Sequence, residues 1–348
     1  MLQIATPKTD RCDSRRRWLM QAAACLAGGG TPLRTHAEPD RQRSPVPALQ
    51  FPIRFEPLGG PAYLVPAHLG DADAENRGFV AHLLLVVQAE ALWLVGTGPS
   101  PAFGAALRAA LLKRWPGRAI EAISPWAHPE TVLGVAGLVP DRHWAHAEVS
   151  AQMGQRCEGC LQRLAQRMGP SAEDLQRQAL GPSGAIRLPD PQRRLHGARG
   201  HLGPLLWWRV QRATDVTITM WRHSALDLGF APGLLNGQGP PDGRDGDIEI
   251  LHATVRAVQA DAHWGRLARW VGQQGRVEGR QALERCAVYW RGLADAAMQG
   301  QERGDDGIDP PESLPDVPQA WCRHPLHALN WQRAWRQAES RWLQRSLR

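Results

Sequence analysis

SPWAHPETVLG, residues 124–134, reads as a loop between a strand and a helix, and it carries one histidine where a metal-binding loop needs several. Zinc sites in proteins are built from three or four nitrogen, sulfur or oxygen ligands. His128 and Glu130 are the candidate ligands in this stretch. The loop therefore either holds part of a catalytic zinc site or belongs to a scaffold that has lost one.

The chain before this loop alternates strand-like and helix-like segments. Leu83–Val87 and Ala91–Val95 are short apolar runs separated by three residues, which is typical of an antiparallel hairpin. A glycine-rich loop, GTGPS, ends the second run, and the apolar spacing over Pro101–Arg114 predicts a helix. Ala119–Ile123 is predicted to be the strand that leads into the loop.

The chain after the loop continues the alternation. We predict a short helix over Thr131–Leu138, a longer one over Val149–Met168, a half-buried strand over Val216–Trp221, and helices over Ile248–Ala262 and Gly279–Met298. Residues 299–318 are acidic and proline-rich and predict a linker. Residues 319–348 predict a C-terminal helix rich in tryptophan and arginine, which should dock onto the domain or onto a partner.

Composition excludes several classes of protein. The 348 residues are 43% hydrophobic and 22% charged, as in a soluble globular protein. No run of 18 apolar residues follows the first forty positions, so we do not expect an integral membrane protein. The net charge is +7, but residues 1–37 hold a surplus of four positive charges, and the remaining arginines are scattered. We therefore do not expect nucleic-acid binding.

Residues 1–37 have the character of an export signal. SRRRWLM at 14–20 shows a twin-arginine arrangement, the mildly apolar QAAACLAGGG follows, and Ala37 is a small residue suited to signal-peptidase cleavage. We predict a signal peptide over 1–37, a linker over 38–50 and a periplasmic protein. A disordered basic tail is the alternative.

Four cysteines remain beyond that signal. Cys157, Cys160, Cys286 and Cys322 allow up to two disulfides in an oxidising compartment. The Cys157–Cys160 pair, in CEGC, is consistent with a local disulfide or inert thiols, with a redox or partner contact, or with metal binding.

Three stretches carry a resemblance to the metallo-β-lactamase superfamily. ALWLVGTGPS at 91–100 is similar to that family's strand ending in Asp-Thr-Gly, SPWAHPETVLG to its His-x-His-x-Asp-His loop, and RATDVTITMW at 212–221 to its Gly-His-Thr-x-Gly-Asp segment. The resemblance implies an α+β fold, a four-layered αβ/βα sandwich, over residues 51–298. The CEGCLQRLAQRMG run, the segment PLHALNWQRAWRQAE and the export signal resemble exported zinc metallohydrolases associated with quinoprotein dehydrogenases and sulfur oxidation.

The same resemblance implies a degenerate metal site. His128 matches the second histidine of the loop and Glu130 its aspartate, and these are the remnant positions. The substituted ligand positions are Trp126, Thr131 and Ala213, followed by Gly233 and one of Gln273 and Gln274, and Gly96 stands at the aspartate of the Asp-Thr-Gly motif. Trp, Ala and Gly side chains cannot coordinate zinc, and Thr and Gln are poor ligands for it. No metal and no cofactor are expected.

Two functions follow from this interpretation. The first is a non-catalytic accessory or binding protein beside a periplasmic quinoprotein dehydrogenase or its assembly factors. The second is an active metallohydrolase of an ester or thioester with a re-sited or partial zinc site. The spacings of His143 with His146 and of His324 with His327 could serve such a site, although structural histidines are the simpler interpretation.

Overall fold

Seven strands of the first sheet pair in the order in which they occur along the chain. The structure, a computed structural model, describes residues 51–155, 158–172, 175, 190–223 and 225–346. The strands are β1 (Glu56–Gly59), β2 (Ala62–Val65), β3 (Leu83–Val87), β4 (Ala91–Val95), β5 (Ala119–Ser124), β6 (Arg142–His146) and β7 (Arg193–Leu195). Pairing is antiparallel from β1 to β4 and parallel from β4 to β7.

The second sheet has six strands among the described residues. They are β8 (Arg199–Leu202), β9 (Leu205–Ala213), β10 (Val216–His223), β11 (Leu228–Phe230), β12 (Arg269–Val271) and β13 (Glu278–Gly279). Only the β11–β12 pair is parallel in this part of the chain. β9 and β10 form the long central hairpin.

Helices of the described chain connect and cover the two sheets. They are α1 (Pro101–Arg114), α2 (Pro129–Val132), α3 (Val135–Leu138), α4 (Ala147–Gln155), α5 (Glu158–Met168), α6 (Ile248–Ala260), α7 (Gln281–Arg303), α8 (Gln319–Cys322) and α9 (Pro325–Ser346), with a 3₁₀ turn at Gly169–Ala172. Ser100 caps α1 by accepting a hydrogen bond from the Phe103 amide, and Pro101 stands in its first turn. Asp247 caps α6 in the same way, and Gly304 ends α7 in the left-handed conformation.

Three apolar layers hold the sheets and helices together. The sheets face one another across Leu84, Val95, Trp207, Trp221 and Phe230. On the outer face of the first sheet, α1 packs through Phe103, Leu107 and Leu111. Residues of α6, α7 and α9 cover the outer face of the second sheet, among them Leu251, Val255, Trp290, Leu293 and Trp331. This order of helix, sheet, sheet and helix confirms the predicted four-layered α+β sandwich.

Several predicted elements differ from the observed ones. β10 is buried on both faces except at Arg222, so the half-buried character predicted over Val216–Trp221 was wrong: the helix layer covers the face of Ile218 and Met220, and the first sheet covers the face of Trp221. The single helix predicted over Thr131–Leu138 is two short helices, α2 and α3, and the one over Val149–Met168 is α4 and α5. The helix predicted to end at Met298 continues to Arg303.

The C-terminal residues pack on the second sheet's helix layer. Trp331, Ala334 and Ala338 of α9 share a core with α7, and a β-carbon at Gly307 would collide with Trp335. The described residues from Phe51 on belong to one compact unit. Among the described helices, none combines the length and apolar composition needed to cross a bilayer.

Close backbone contacts fix the loop that follows β4 against the segment after β5. The Gly134 amide donates to the Gly98 carbonyl at 2.9 Å, and the Thr97 amide donates to the Thr131 carbonyl at 2.8 Å. A β-carbon at Gly134 would collide with the Thr97 carbonyl, and one at Gly104 would collide with the Gly134 carbonyl. Gly134 and Gly104 therefore have to be glycine because a side chain would collide with the neighbouring backbone, although their φ angles would suit other residues.

We predict that Gly134→Ala lowers the free energy of unfolding by about 2–3 kcal/mol, because the contacting atoms are backbone and cannot move aside. Gly154→Ala is the matched control, since Gly154 lies in α4 with open space around its α-carbon. That control should raise the free energy of unfolding by about 0.5–1 kcal/mol. Chemical denaturation of both variants measures the two effects, and equal values would contradict the packing argument.

Candidate functional site

The loop at residues 124–131 lies at the carboxyl end of β5 and is shaped by its own backbone. Pro129 begins α2, and the Thr131 hydroxyl shares its one hydrogen between the carbonyl oxygens of Trp126 at 3.0 Å and His128 at 2.9 Å. The Thr219 amide of β10 donates to the Pro125 carbonyl at 2.8 Å. Thr131 therefore holds the loop closed and ties up its hydroxyl in doing so.

Trp126 fills the interior of the site. Its side chain is 1% exposed, and its ring stacks on the His128 imidazole with the centroids 4.2 Å apart. The guanidinium carbon of Arg212 lies 4.5 Å from the same ring centroid, a cation–π distance. The first substituted ligand position thus holds an aromatic ring in contact with a guanidinium group and an imidazole.

Arg212 is completely buried at the end of β9 and was not predicted as a site residue. Its guanidinium donates to the carbonyl oxygens of Gly233 and, at 2.6 Å, of Asp242. Gly233 has a φ of +76°, and a β-carbon there would lie 2.9 Å from an Arg212 nitrogen and 3.0 Å from the Trp126 ring. The guanidinium therefore occupies the space between Trp126 and Gly233, directly beside Ala213 in the chain.

A second arginine organises the acidic side of the site. Arg244 donates from Nη2 to Asp242 at 2.6 Å and from Nε at 3.0 Å, and its Nη1 lies 3.1 Å from Asp71. Burial would raise the pKa of Asp242, but the charges of Arg244 and Arg212 outweigh burial and lower it. Burial opposes the charge of Arg244, yet Asp242 and Asp71 raise the pKa of Arg244. Asp242 is thus an ionised carboxylate that forms an ion pair with Arg244.

His128 and Glu130, the two remnant ligand positions, form an ion pair with each other. The contact joins Nδ1 of His128 to Oε2 of Glu130, and the side chains are 19% and 11% exposed. Burial would lower the pKa of His128, but the charge and hydrogen bond of Glu130, helped by Asp245 and Asp242, raise it. Burial would raise the pKa of Glu130, and the His128 charge and hydrogen bond lower it.

Three solved structures with a similar architecture allow a comparison of the fold. The metallo-β-lactamase FIM-1 from Pseudomonas aeruginosa, in its mono-zinc form, is 17% identical with a TM-score of 0.51, over 70% of this chain and 96% of that one. A metallo-β-lactamase from Erythrobacter litoralis, with β-mercaptoethanol in its active site, is 16% identical with a TM-score of 0.51, over 70% and 98%. TMB-1 is 12% identical with a TM-score of 0.51, over 69% and 97%.

The chain has the metallo-β-lactamase fold. No protein-family model matches the sequence, and no curated protein matches it either. At these identities the likeness concerns the fold, and the chemistry has to be argued from the side chains of this chain.

Zinc, which the metallo-β-lactamase fold implies, does not fit the residues at this site. Zinc sites need three or four ligand side chains, and here the Glu130 carboxylate is engaged by Nδ1 of His128, so the loop would offer a zinc ion little more than Nε2 of one imidazole. Arg212 adds a buried positive charge next to the positions that would have to bind a dication. Within the described residues, no group of three or more His, Cys, Asp or Glu side chains is placed to hold a metal ion.

The remaining predicted ligand positions serve packing and loop attachment. Ala213 is a buried residue at the end of β9. Gln274 accepts a hydrogen bond from the Gly70 amide at 2.7 Å, which attaches the segment that carries Asp71. A β-carbon at Gly96 would lie 2.8 Å from the Leu83 side chain.

The predicted cysteine pair lies outside what the structure describes. Cys157 is outside the described residues, and so is the side chain of Cys160. Cys286 and Cys322 are both buried free thiols. Burial raises the pKa of the Cys286 thiol to about 12, so this thiol is unreactive at neutral pH.

The paired histidines have structural roles. His143 and His146 lie on strand β6 and not on a helix; His143 shares a hydrogen bond with the buried Ser124 hydroxyl, and His146 with the Gly197 carbonyl. Burial lowers the pKa of His143 to about 4 despite the charge of Asp190. His327 bonds to Tyr289 and to the Pro311 carbonyl. These three imidazoles therefore satisfy structural hydrogen bonds, and the bond of His143 reaches Ser124 at the start of the loop.

We predict that Arg212→Gln lowers the free energy of unfolding by about 3 kcal/mol, because it leaves two buried carbonyl oxygens without a charged donor. The matched control is Arg209→Gln on the same strand, where the ion pair with Glu148 is partly exposed and worth less than about 1 kcal/mol. Urea denaturation compares the two. Equal losses would show that Arg212 does not organise the site.

The ion pair also predicts a pH dependence. The stabilisation from a histidine of raised pKa is present below pH 6.5 and is lost as pH rises through the folded-state pKa. The free energy of unfolding should therefore fall above pH 6.5 in the native chain. His128→Gln and Glu130→Gln should both remove this part of the slope, which denaturation between pH 6 and pH 9 measures. An unchanged slope in both variants would contradict the ion pair.

Proposed function

We propose that this chain is a metal-free, non-catalytic binding protein built on the metallo-β-lactamase fold. The observation that carries the proposal is the placement of Arg212, whose fully buried guanidinium contacts Trp126 and Gly233. Zinc-dependent hydrolysis needs a dication that lowers the pKa of a bound water. A fixed guanidinium cannot deliver a hydroxide, and it repels the ion that could.

We further propose that the protein acts in the periplasm beside a quinoprotein dehydrogenase or its assembly factors. The support is the twin-arginine stretch SRRRWLM at 14–20 and the two segments that resemble exported relatives of such systems, CEGCLQRLAQRMG and PLHALNWQRAWRQAE.

Hydrolysis of an ester or thioester with a re-sited or partial zinc site is the second candidate function. The observation that favours it is the presence of His128 and Glu130 at the wall of the same cavity as Asp242. Their mutual pairing and the pairing of Asp242 with Arg244 weaken this candidate, because a zinc ion would have to displace both partnerships.

Zinc binding separates the two functions. We expect the exported, purified chain to contain no stoichiometric zinc by mass spectrometry and to take none up on calorimetric titration, because no three candidate ligands converge among the residues that the structure describes. His128→Gln, which removes a candidate ligand, is the matched variant and should behave identically in both measurements.

Zinc bound to the native chain would contradict the proposal. Near-stoichiometric zinc that survives dialysis in the native chain and is lost in His128→Gln would overturn the proposal and favour the metallohydrolase. Hydrolysis of a thioester probe that depends on added zinc would do the same.

A further inference from the structure

We propose that an aromatic cage at the end of α1 is a binding site for a quaternary ammonium group, an inference that is independent of the proposed function. The cage has three walls, the rings of Phe55, Tyr63 and Trp115. These residues come from the segment before β1, from β2 and from the position directly after α1. All three are partly exposed, so the cage lies at the surface of the molecule.

The three rings meet at steep angles. The ring planes of Trp115 and Phe55 lie at 75° with the centroids 5.0 Å apart, and those of Trp115 and Tyr63 at 60° with the centroids 5.2 Å apart. The rings therefore enclose an angle instead of forming a flat stack. Cations are attracted to the face of an aromatic ring, and a cation placed inside this angle is attracted by several faces at once.

A positive charge of the chain itself already lies in the cage. The guanidinium carbon of Arg114 is 4.9 Å from the centroid of the Trp115 ring. The same carbon is 5.2 Å from the Tyr63 centroid and 5.6 Å from the Phe55 centroid. Each distance is within the range of about 6 Å over which cation–π attraction acts. The position of Arg114 thus marks the point at which a ligand cation would contact all three walls.

Arg114 holds this position weakly enough for a ligand to replace it. The residue is exposed, and a cation–π contact at an exposed site contributes about 0.5–1 kcal/mol. Fixing an arginine side chain in one conformation costs up to about 2 kcal/mol of rotamer entropy. A guanidinium that swings out of the cage regains this entropy and the hydration of its N–H groups. We therefore expect Arg114 to act as a displaceable internal competitor.

The shape of the cage favours a quaternary ammonium group over other cations. Such a group has no N–H donor, so it gives up no hydrogen bond to water when it enters between aromatic rings. Its alkyl groups point in several directions and can touch walls that meet at 60° and 75°. A planar guanidinium lies flat on one ring. Aromatic cages that recognise quaternary ammonium ligands have this arrangement of faces around one charge.

Nitrogen-edited NMR titration of the exported, purified chain tests the cage. The probes are choline and its neutral isostere 3,3-dimethylbutan-1-ol. We expect choline to shift the indole N–H resonance that disappears in Trp115→Leu, with a Kd on the order of 10 mM in the native chain. Arg114→Ser should bind choline about tenfold more tightly, because the competing guanidinium is gone. The neutral isostere should shift this resonance in neither form.

Two further variants separate the cage from a general effect of charge. Lys113→Ser is the matched control, because Lys113 is an exposed cation in the same last turn of α1 and is not a wall of the cage. It should leave the Kd for choline unchanged. Tyr63→Leu, made together with Arg114→Ser, removes one ring face and keeps an apolar side chain. It should weaken choline binding about fivefold relative to Arg114→Ser alone.

Vesicles distinguish a free ligand from a lipid headgroup, since choline occurs as both. Sedimentation of Arg114→Ser with phosphatidylcholine vesicles and not with phosphatidylglycerol vesicles would assign the cage to a headgroup. Binding of free choline without sedimentation would assign it to a soluble ligand. Absence of both kinds of binding overturns the proposal. Equal shifts by choline and its isostere, or an equal gain in affinity in Arg114→Ser and Lys113→Ser, would overturn it as well.

Discussion

The hydrogen bonds from the Arg212 guanidinium to the carbonyl oxygens of Gly233 and Asp242 are the interaction on which the site depends. A buried charge is costly unless its hydrogen bonds are satisfied and its charge is balanced. Here two carbonyl oxygens, an aromatic face and a nearby carboxylate supply that environment. The donors and acceptors come from β9, from the turn after β11 and from the loop before α6, so one side chain joins three distant parts of the chain.

The shape of the loop at residues 124–131 is held independently of that charge. Thr131 closes the loop on its own carbonyl oxygens, Thr97 bonds to the Thr131 carbonyl, and Gly134 lets the two segments approach at backbone distance. The Thr97 and Gly134 contacts join backbone atoms, and Thr131, at a substituted ligand position, adds a hydrogen bond that needs no metal. A scaffold stabilised in this way keeps its fold when the ligand side chains are replaced, which explains a metallo-β-lactamase architecture around an arginine.

Elements whose signals lie close together in the sequence could be predicted, and contacts between residues far apart in the sequence could not. The β3–β4 hairpin and α1 were predicted with their observed boundaries because their signals are local, an apolar run or a capped helical period. The burial of both faces of β10 was not predicted, because alternation cannot show that the first sheet covers the face that carries Trp221. Arg212, Arg244 and Asp71 become neighbours only through the fold; the one local signal was that Arg212 shares a face of β9 with the buried Val210.

The residues at the substituted ligand positions depend on Arg212, so the metal-free arrangement is stable only as a whole. With Arg212 in place, a dication about 5 Å away would be repelled by an energy on the order of 7 kcal/mol at an effective dielectric constant of 20. Restoring one ligand, as in Ala213→His, therefore cannot restore zinc binding while the guanidinium stays. Removing the guanidinium alone leaves buried carbonyl oxygens without donors and opens space beside Trp126 that Gly233 cannot fill. A return to a metal site requires several changes at once, so the guanidinium-filled arrangement is a stable alternative on this fold and not a zinc site with one ligand missing.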